Sequence, residues 1–273
     1  MTEVHTTPIG LPTGVTLNVA LGGPDDAEPI IFLHGFPESH RTWRHQLAEL
    51  AADFRVVAPD QRGFGGSDKP EGIEHYETSK PVADLIALAD ALGIGGFTLV
   101  GHDWGGAAAW LAALKHPDRV KRLVIVNAPH PLIFQRSVIE VEAQRAASQY
   151  IRAFRTPGFE KAIEAMGWET FFEKSFGAHV DLGLVSDEER TAYIRDWSSP
   201  GAMAAMLGWY RASAIEVPAV GEKAQLPAWT EGPFPRLTMP VLVVWGLRDK
   251  ALLPVQLDGL EDLVDQIKVV RVE

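Results

Sequence analysis

The 273 residues carry 25 Lys and Arg against 36 Asp and Glu, a formal net charge of −11, which argues against nucleic acid and anionic membrane surfaces as partners. With 46% hydrophobic content the chain can bury one large core, and a single α/β domain with an insertion fits better than two equal domains. The absence of cysteine removes disulfides, thiol chemistry and cysteine-held metals. Met1–Gly10 lacks the basic-then-apolar pattern of a secretion signal, and no apolar run approaches a membrane span, so a cytoplasmic protein is the default reading.

In chain order, Val15–Leu21 reads as a strand, and Ile30–Leu33 as a strand buried on both faces of a parallel sheet. It runs into His34-Gly35-Phe36-Pro37, where Gly35 permits a close turn and Pro37 fixes the next residue. That leaves the Phe36 N–H free to point into a site at the C-terminal strand edge, where ligands gather in open α/β sheets. The plainer reading is an ordinary turn, with His34 a hydrogen-bonded structural residue. Trp43–Ala51 reads as a helix and Phe54–Ala58 as a strand, and the glycines and acids of Asp60–Asp68 read as scaffold turns. Val82–Leu92 has helical spacing and stops at Gly93, and Phe97–Val100 is the next strand.

Gly101-His102-Asp103-Trp104-Gly105-Gly106 follows, and then the Ala-rich helical stretch Ala107–Leu114, which stops at His116-Pro117. Leu123–Val126 is a strand ending in Asn127-Ala128-Pro129-His130-Pro131. From Leu132 to about Phe234 there are only helical patterns, rich in aromatics such as Trp168, Phe171, Phe172, Trp197, Trp209 and Trp229. This stretch reads as a helical lid over the strand ends, with most of the aromatics as its own core. Strand character resumes at Val241–Trp245 and Ile267–Val272. The expectation is a core of residues 1–130 and 236–273, a mostly parallel sheet with helices on both faces, interrupted by a lid at 131–235.

Gly101-His102-Asp103-Trp104-Gly105 resembles the nucleophile elbow of α/β-hydrolases, with Asp where Ser is usual. Such a turn holds its central residue in a strained conformation above the sheet, and Gly101, Gly105 and Gly106 supply the clearance. The free N–H groups and dipole of the following helix are expected to keep Asp103 ionised and nucleophilic. Taken alone, the segment would equally suit an Asp helix cap.

Over nearly its whole length the sequence resembles the epoxide hydrolase branch of that family, through His34–Pro37, Asp60–Pro70, Asp103-Trp104 and the Asp249 turn. The resemblance implies a nucleophilic Asp103, an oxyanion hole from the Phe36 and Trp104 N–H groups, and an acid at Asp249. It also implies two lid phenols: Tyr150 in Gln149-Tyr150-Ile151-Arg152, and Tyr210 in Gly208-Trp209-Tyr210-Arg211. Phe36, Trp104, Tyr150 and Tyr210 would line the substrate site. The implied substrates are a small apolar epoxide and water, without cofactor or metal; a homodimer is left open.

The chemistry explains the company these residues keep. A carboxylate can open a strained epoxide to an ester, and a phenol, protonated at neutral pH, can supply the proton the departing alkoxide needs. One departure stands out, because the family's water-activating His follows the last core strand, and none of His5, His34, His40, His45, His75, His102, His116, His130 or His179 matches it. The expectation is a chain truncated before that His and the closing helix, or a protein unable to complete turnover. A haloalkane or haloacid dehalogenase with the same Asp, and a ligand-binding α/β-hydrolase without catalysis, are the alternatives.

Overall fold

The structure, a computed structural model, describes residues 4–177 and 181–273, so His179 lies outside the described residues. Its strands are β1 (His5–Gly10), β2 (Thr16–Gly22), β3 (Pro29–Leu33), β4 (Arg55–Pro59), β5 (Phe97–His102), β6 (Val120–Val126), β7 (Leu237–Gly246) and β8 (Val264–Val272). They form one sheet in the order β1-β2-β4-β3-β5-β6-β7-β8. β1 and β2 pair antiparallel, as do β2 and β4, and every other pairing is parallel.

The α-helices are α1 (Arg44–Leu50), α2 (Ser79–Ala91), α3 (Asp103–Lys115), α4 (Pro131–Glu140), α5 (Glu142–Ala147), α6 (Gln149–Phe154), α7 (Phe159–Met166), α8 (Trp168–Phe176), α9 (Asp187–Ser198) and α10 (Ala202–Ala212). The fully apolar runs became central strands because both faces are covered. Ile31, Val57, Leu99, Leu123, Ile125 and Val243 enter one core with α2, α3 and the later helices. Ala20, Phe32, Val56, Ala58 and Val100 enter a second core with Trp43 and Leu47. β1 is absent from the sequence reading because it is an edge strand with no buried residue, so it carries no apolar alternation. The helix read at Trp43–Ala51 is a 3-10 turn, His40–Trp43, running into α1. α3 starts at Asp103 itself rather than at Ala107, since tertiary contact overrides the low helix propensity of Gly105 and Gly106.

Strand order is what brings the site together. The chain lays β4 to one side of β3 and then crosses back to β5 on the other, so the connections after β3 and β5 leave in opposite directions. Leu33 pairs with Gly101 in register, so the loop at His34–Pro37 and the turn at Asp103 emerge side by side at the same level. Asp60, at the end of β4, buttresses that edge, as its scaffold reading requires. It is 1% exposed and accepts from the His40 N–H, His40 Nδ1, Asn18 Nδ2 and the Gly66 N–H at 2.8–2.9 Å. His34 is likewise structural, its Nε2 accepting the Gln61 N–H at 3.0 Å.

Between β6 and β7 the described residues hold seven helices, α4–α10, and no strand. Phe171, Phe172, Phe176, Tyr193 and Trp197 pack ring on ring within this segment. Two indoles tie it to the sheet: Trp197 Nε1 donates to the Pro37 carbonyl at 2.6 Å and Trp209 Nε1 to the Arg62 carbonyl at 3.1 Å. No described helix is long and apolar enough to cross a membrane.

α3 and β3 approach closely at Gly105, where an added Cβ would lie 2.2 Å from the Leu33 carbonyl oxygen. Backbone cannot yield there as a flexible side chain can. Gly105→Ala is therefore expected to destabilise the protein by about 2–3 kcal/mol, the range of overpacked cores. Urea unfolding checks this, and a change within about 0.5 kcal/mol would show that α3 can move away from β3.

Candidate active site

Asp103 is the last residue of a strand-to-helix turn and stands at φ 49, one of two non-glycine residues at positive φ among those described. Such a backbone is strained for an L-residue and persists only where its surroundings enforce it. Gly35 helps to enforce it, since a Cβ there would sit 2.4 Å from the Asp103 Cβ. The loop after β3 thus lies directly on Asp103, and the Phe36 N–H donates to Asp103 Oδ1 at 2.7 Å. The Trp104 N–H, at the start of α3, also favours the charged carboxylate.

The donors at the start of α3 do not lower the Asp103 carboxyl overall. Burial pushes the Asp103 carboxyl up from its ordinary value, while the neighbouring His102 charge and the Phe36 and Trp104 N–H groups pull it down without cancelling the rise. Desolvation outweighs the turn's donors because an N–H group is a partial charge and the carboxylate a full one.

Over Asp103 lies a pocket of about 580 Å³, its mouth included, lined by Trp104, Phe134, Tyr150, Ile151, Tyr210, Ile215 and Leu252 among others. Tyr150 comes from α6 and Tyr210 from α10, their rings 6.1 Å apart. The Tyr210 ring is edge-on to both Trp104, at 5.0 Å, and Phe36, at 5.2 Å. Arg155 fixes the relation of the two helices, donating from Nε to the Tyr210 carbonyl at 2.8 Å and from Nη2 to the Ser213 carbonyl at 3.1 Å. Burial raises both phenols, and the Asp103 charge adds to the rise, so both stay protonated throughout the neutral range.

Asp249, after β7, adjoins the pocket at the lining residue Leu252. Its oxygens accept from Asn127 Nδ2 and from the Ala251 and Leu252 N–H groups at 2.8–2.9 Å. Among the described residues no imidazole hydrogen-bonds it.

Of the six residues singled out from the sequence, Asp103, Trp104, Tyr150 and Tyr210 line this pocket, Phe36 packs on Tyr210 with its N–H on Asp103, and Asp249 adjoins it at Leu252. Three that matter were passed over. Asn127, the other positive-φ residue, at φ 40, bridges Asp249 and the Gly246 N–H. Its only signal was an Asn directly after a core strand, a residue type that tolerates such φ. Glu38 and His102 form an ion pair, Nδ1 to Oε2 3.2 Å, next to Asp103. Their positions 64 residues apart gave no hint of contact.

Comparison with known proteins identifies the family and the fold. A family model described as the alpha/beta hydrolase fold matches residues 28–273. The Bacillus subtilis "AB hydrolase superfamily protein YfhM" is 36% identical over 241 residues, 88% of this chain and 80% of that one. Mouse "Epoxide hydrolase 4" is 31% identical over 242 residues, 87% of this chain and 64% of that one, so the chain spans just under two thirds of that relative. A solved structure from metagenomes of hot environments, described among novel epoxide hydrolases of the alpha/beta hydrolases superfamily, superposes with a TM-score of 0.90 at 46% identity, covering 99% of this chain and 91% of that one. The chain belongs to the α/β-hydrolase superfamily, in its epoxide hydrolase-like branch.

The wall behind the pocket carries a titratable group. His130 is 1% exposed, packs edge-on against Trp110 and Phe234, and its Nδ1 accepts the Leu132 N–H at the start of α4. Burial lowers its pKa from 6.5 to about 4. Because the folded value is the lower one, the unfolded chain takes up the proton first. Stability from this residue is then complete above pH 6.5 and is lost as the pH falls towards 4, by about 3 kcal/mol. In His130→Asn, which keeps a capping side chain, the loss of stability between those pH values is expected to shrink accordingly. Denaturant unfolding at pH 7.5, 5.5 and 4.5 measures it, and equal acid sensitivity in both proteins would show that His130 is not responsible.

Proposed function

We propose that this protein is an epoxide hydrolase that opens an apolar epoxide through a covalent ester on Asp103. The observation that carries the reading is the placement of two protonated phenols, Tyr150 and Tyr210, across an apolar pocket from a carboxylate held at positive φ. A halide leaving group needs no proton, whereas an epoxide oxygen does.

In this reading the Phe36 N–H holds Asp103 Oδ1, and Oδ2 attacks a ring carbon. The carbon–oxygen bond breaks and the oxygen takes a proton from one of the phenols. Water then adds to the ester carbonyl, and of its two protons one goes to the departing diol oxygen and the other restores the phenol. The Phe36 and Trp104 N–H groups hold the oxyanion, each worth about 3 kcal/mol in comparable sites, and the diol leaves as the carboxylate re-forms. The helices at 131–235 act as the lid that carries the phenols and keeps water from the ester until the diol-forming step. Water needs a base in that step. Of the described imidazoles, His34 and His130 are engaged away from the pocket, and His102 is held as a cation by Glu38. These 273 residues are thus read as competent for ester formation and slow in ester hydrolysis.

Single-turnover stopped flow with styrene oxide tests the acid catalysts. Tyr210→Phe is expected to slow ester formation about a hundredfold or more, Tyr150→Phe somewhat less. Tyr76→Phe is expected to leave it unchanged, since the Tyr76 hydroxyl donates to the Pro70 carbonyl at 2.7 Å instead. Unchanged rates in the Tyr210 and Tyr150 variants would favour the dehalogenase reading.

Intact mass spectrometry tests the nucleophile and the ester-hydrolysis step together. The 273-residue protein is expected to gain one styrene oxide per chain, and Asp103→Asn none. Rapid multiple turnover to diol would identify another group as the base, and no adduct would favour a ligand-binding protein.

A further inference from the structure

After α10 the chain runs on through residues 213–219, which belong to no helix and no strand. A segment outside a sheet has no ladder for its N–H and C=O groups, and each must find another partner. The partners here are side chains of α5, of α6 and of the residue that follows α6. Arg155 Nη2 donates to the Ser213 carbonyl at 3.1 Å, Arg152 Nη1 to that of Val217 at 2.9 Å, Gln149 Nε2 to that of Pro218 at 3.0 Å, and Arg145 Nη1 to that of Glu222 at 2.9 Å.

In the middle of this row Gln135, on α4, makes a paired contact. Its Oε1 accepts the Glu216 N–H at 2.8 Å and its Nε2 donates to the Glu216 carbonyl at 3.0 Å. A primary amide thereby does for Glu216 what the opposed residue does in a hydrogen-bonded pair of an antiparallel ladder. Gln135 is fully buried, so water does not compete for its amide. The other four donors discriminate less, since each holds one carbonyl and a long side chain can follow a carbonyl that shifts.

Burial along the segment gives the pairing a consequence. Ala214 and Glu216 are exposed, Ile215 is half-buried and Val217 is buried. This period of two turns Ile215 inward, where it lines the pocket together with Phe134, the residue before Gln135. In an extended chain, a slip of one residue exchanges the inward and outward side chains. Such a slip would replace Ile215 in the pocket wall by the methyl of Ala214 or the carboxylate of Glu216. No strand among the described residues pairs with the segment to prevent it.

We infer that Gln135 is a positioning residue for substrate specificity, whose amide pins the register of the segment after α10 so that Ile215 completes an apolar wall with Phe134. The inference rests on the epoxide reading for the nature of the substrate. Within that class it names the favoured members, epoxides with an apolar substituent long enough to reach Phe134 and Ile215 from Asp103. It assigns Gln135 no contact with the reacting atoms.

The test is the ratio of single-turnover alkylation efficiencies for 1,2-epoxyoctane and 1,2-epoxybutane. Gln135→Met is close in shape and cannot form the pair. It is expected to lower the ratio about tenfold, the weight of roughly one methylene contact, with epoxybutane changed by less than about twofold. Gln135→Asn, whose amide is one methylene too short, is expected to do the same and serves if the Met variant folds poorly. Ile215→Ala is expected to give a similar fall, and Gln135→Met added to it no further fall, because both remove the same wall. Equal losses for the two epoxides in the Gln135 variants, or additive losses in the double variant, would reveal a structural role alone and overturn the inference.

Thiol labelling reads the register without substrate, in a chain that has no cysteine of its own. Ala214→Cys is expected to react with iodoacetamide about tenfold faster than Ile215→Cys, and Gln135→Met to narrow that contrast to about twofold or less. A contrast unchanged in Gln135→Met would overturn the inference. Failure of both epoxides to alkylate the protein would strike only the epoxide reading, and the thiol contrast would still decide the register.

Discussion

The steric enforcement of one backbone conformation, at Asp103, governs the rest of the site. β5 ends, α3 begins at once, and the residue between them has no room to relax to negative φ. Gly35 lies against its Cβ from one side, and Gly105 abuts the Leu33 carbonyl on the other. Side chains at either glycine would push the β3 loop or α3 away, and the Phe36 N–H would leave the carboxylate. The strain is maintained by two parallel strands in register, which are in turn fixed by apolar cores on both faces of the sheet. Stability of the fold and geometry of the site are therefore one problem, and the glycines are where the two meet.

A second constraint follows from placing a carboxylate under an apolar pocket. Removing it from water raises its proton affinity, and the same burial raises that of Tyr150 and Tyr210. In the proposed reaction this suits the phenols, each of which would enter as an acid, and it is adverse for Asp103, whose charge has to be favoured by local donors. One environment thus pushes the proposed proton donor and the proposed nucleophile in the same direction, and only local partners separate them. Tyr210 has Trp104 and Phe36 as neighbours, whereas Asp103 has two N–H donors and a cation.

The helical segment between β6 and β7 divides its aromatics between two tasks. One group, around Trp197, is the segment's own core, while Trp209 and Tyr210 look down onto the sheet edge. The Trp197 and Trp209 N–H groups reach carbonyls in the loops after β3 and β4, so the segment is anchored where the site is built. Arg155 sets the α6–α10 relation on which the spacing of the phenols depends.

The sequence by itself determined the central sheet, the elbow and the identity of the groups around the pocket. Continuous apolar runs and glycines flanking a single acid are local patterns that sterics and periodicity interpret, whereas Asp249, Tyr150 and Tyr210 were singled out by the resemblance to a family. It was silent on β1, whose edge position demands no apolar face, and it started α3 too late because the glycines that weaken a helix are required there by packing. Only the tertiary structure decided which groups share an electric field. Glu38 meets His102, Asn127 meets Asp249, and the carboxyl of Asp103 is raised rather than lowered. The reason is physical: desolvation and Coulomb interaction depend on distances between residues far apart in the chain, and the spacing of residues along a sequence does not encode those distances.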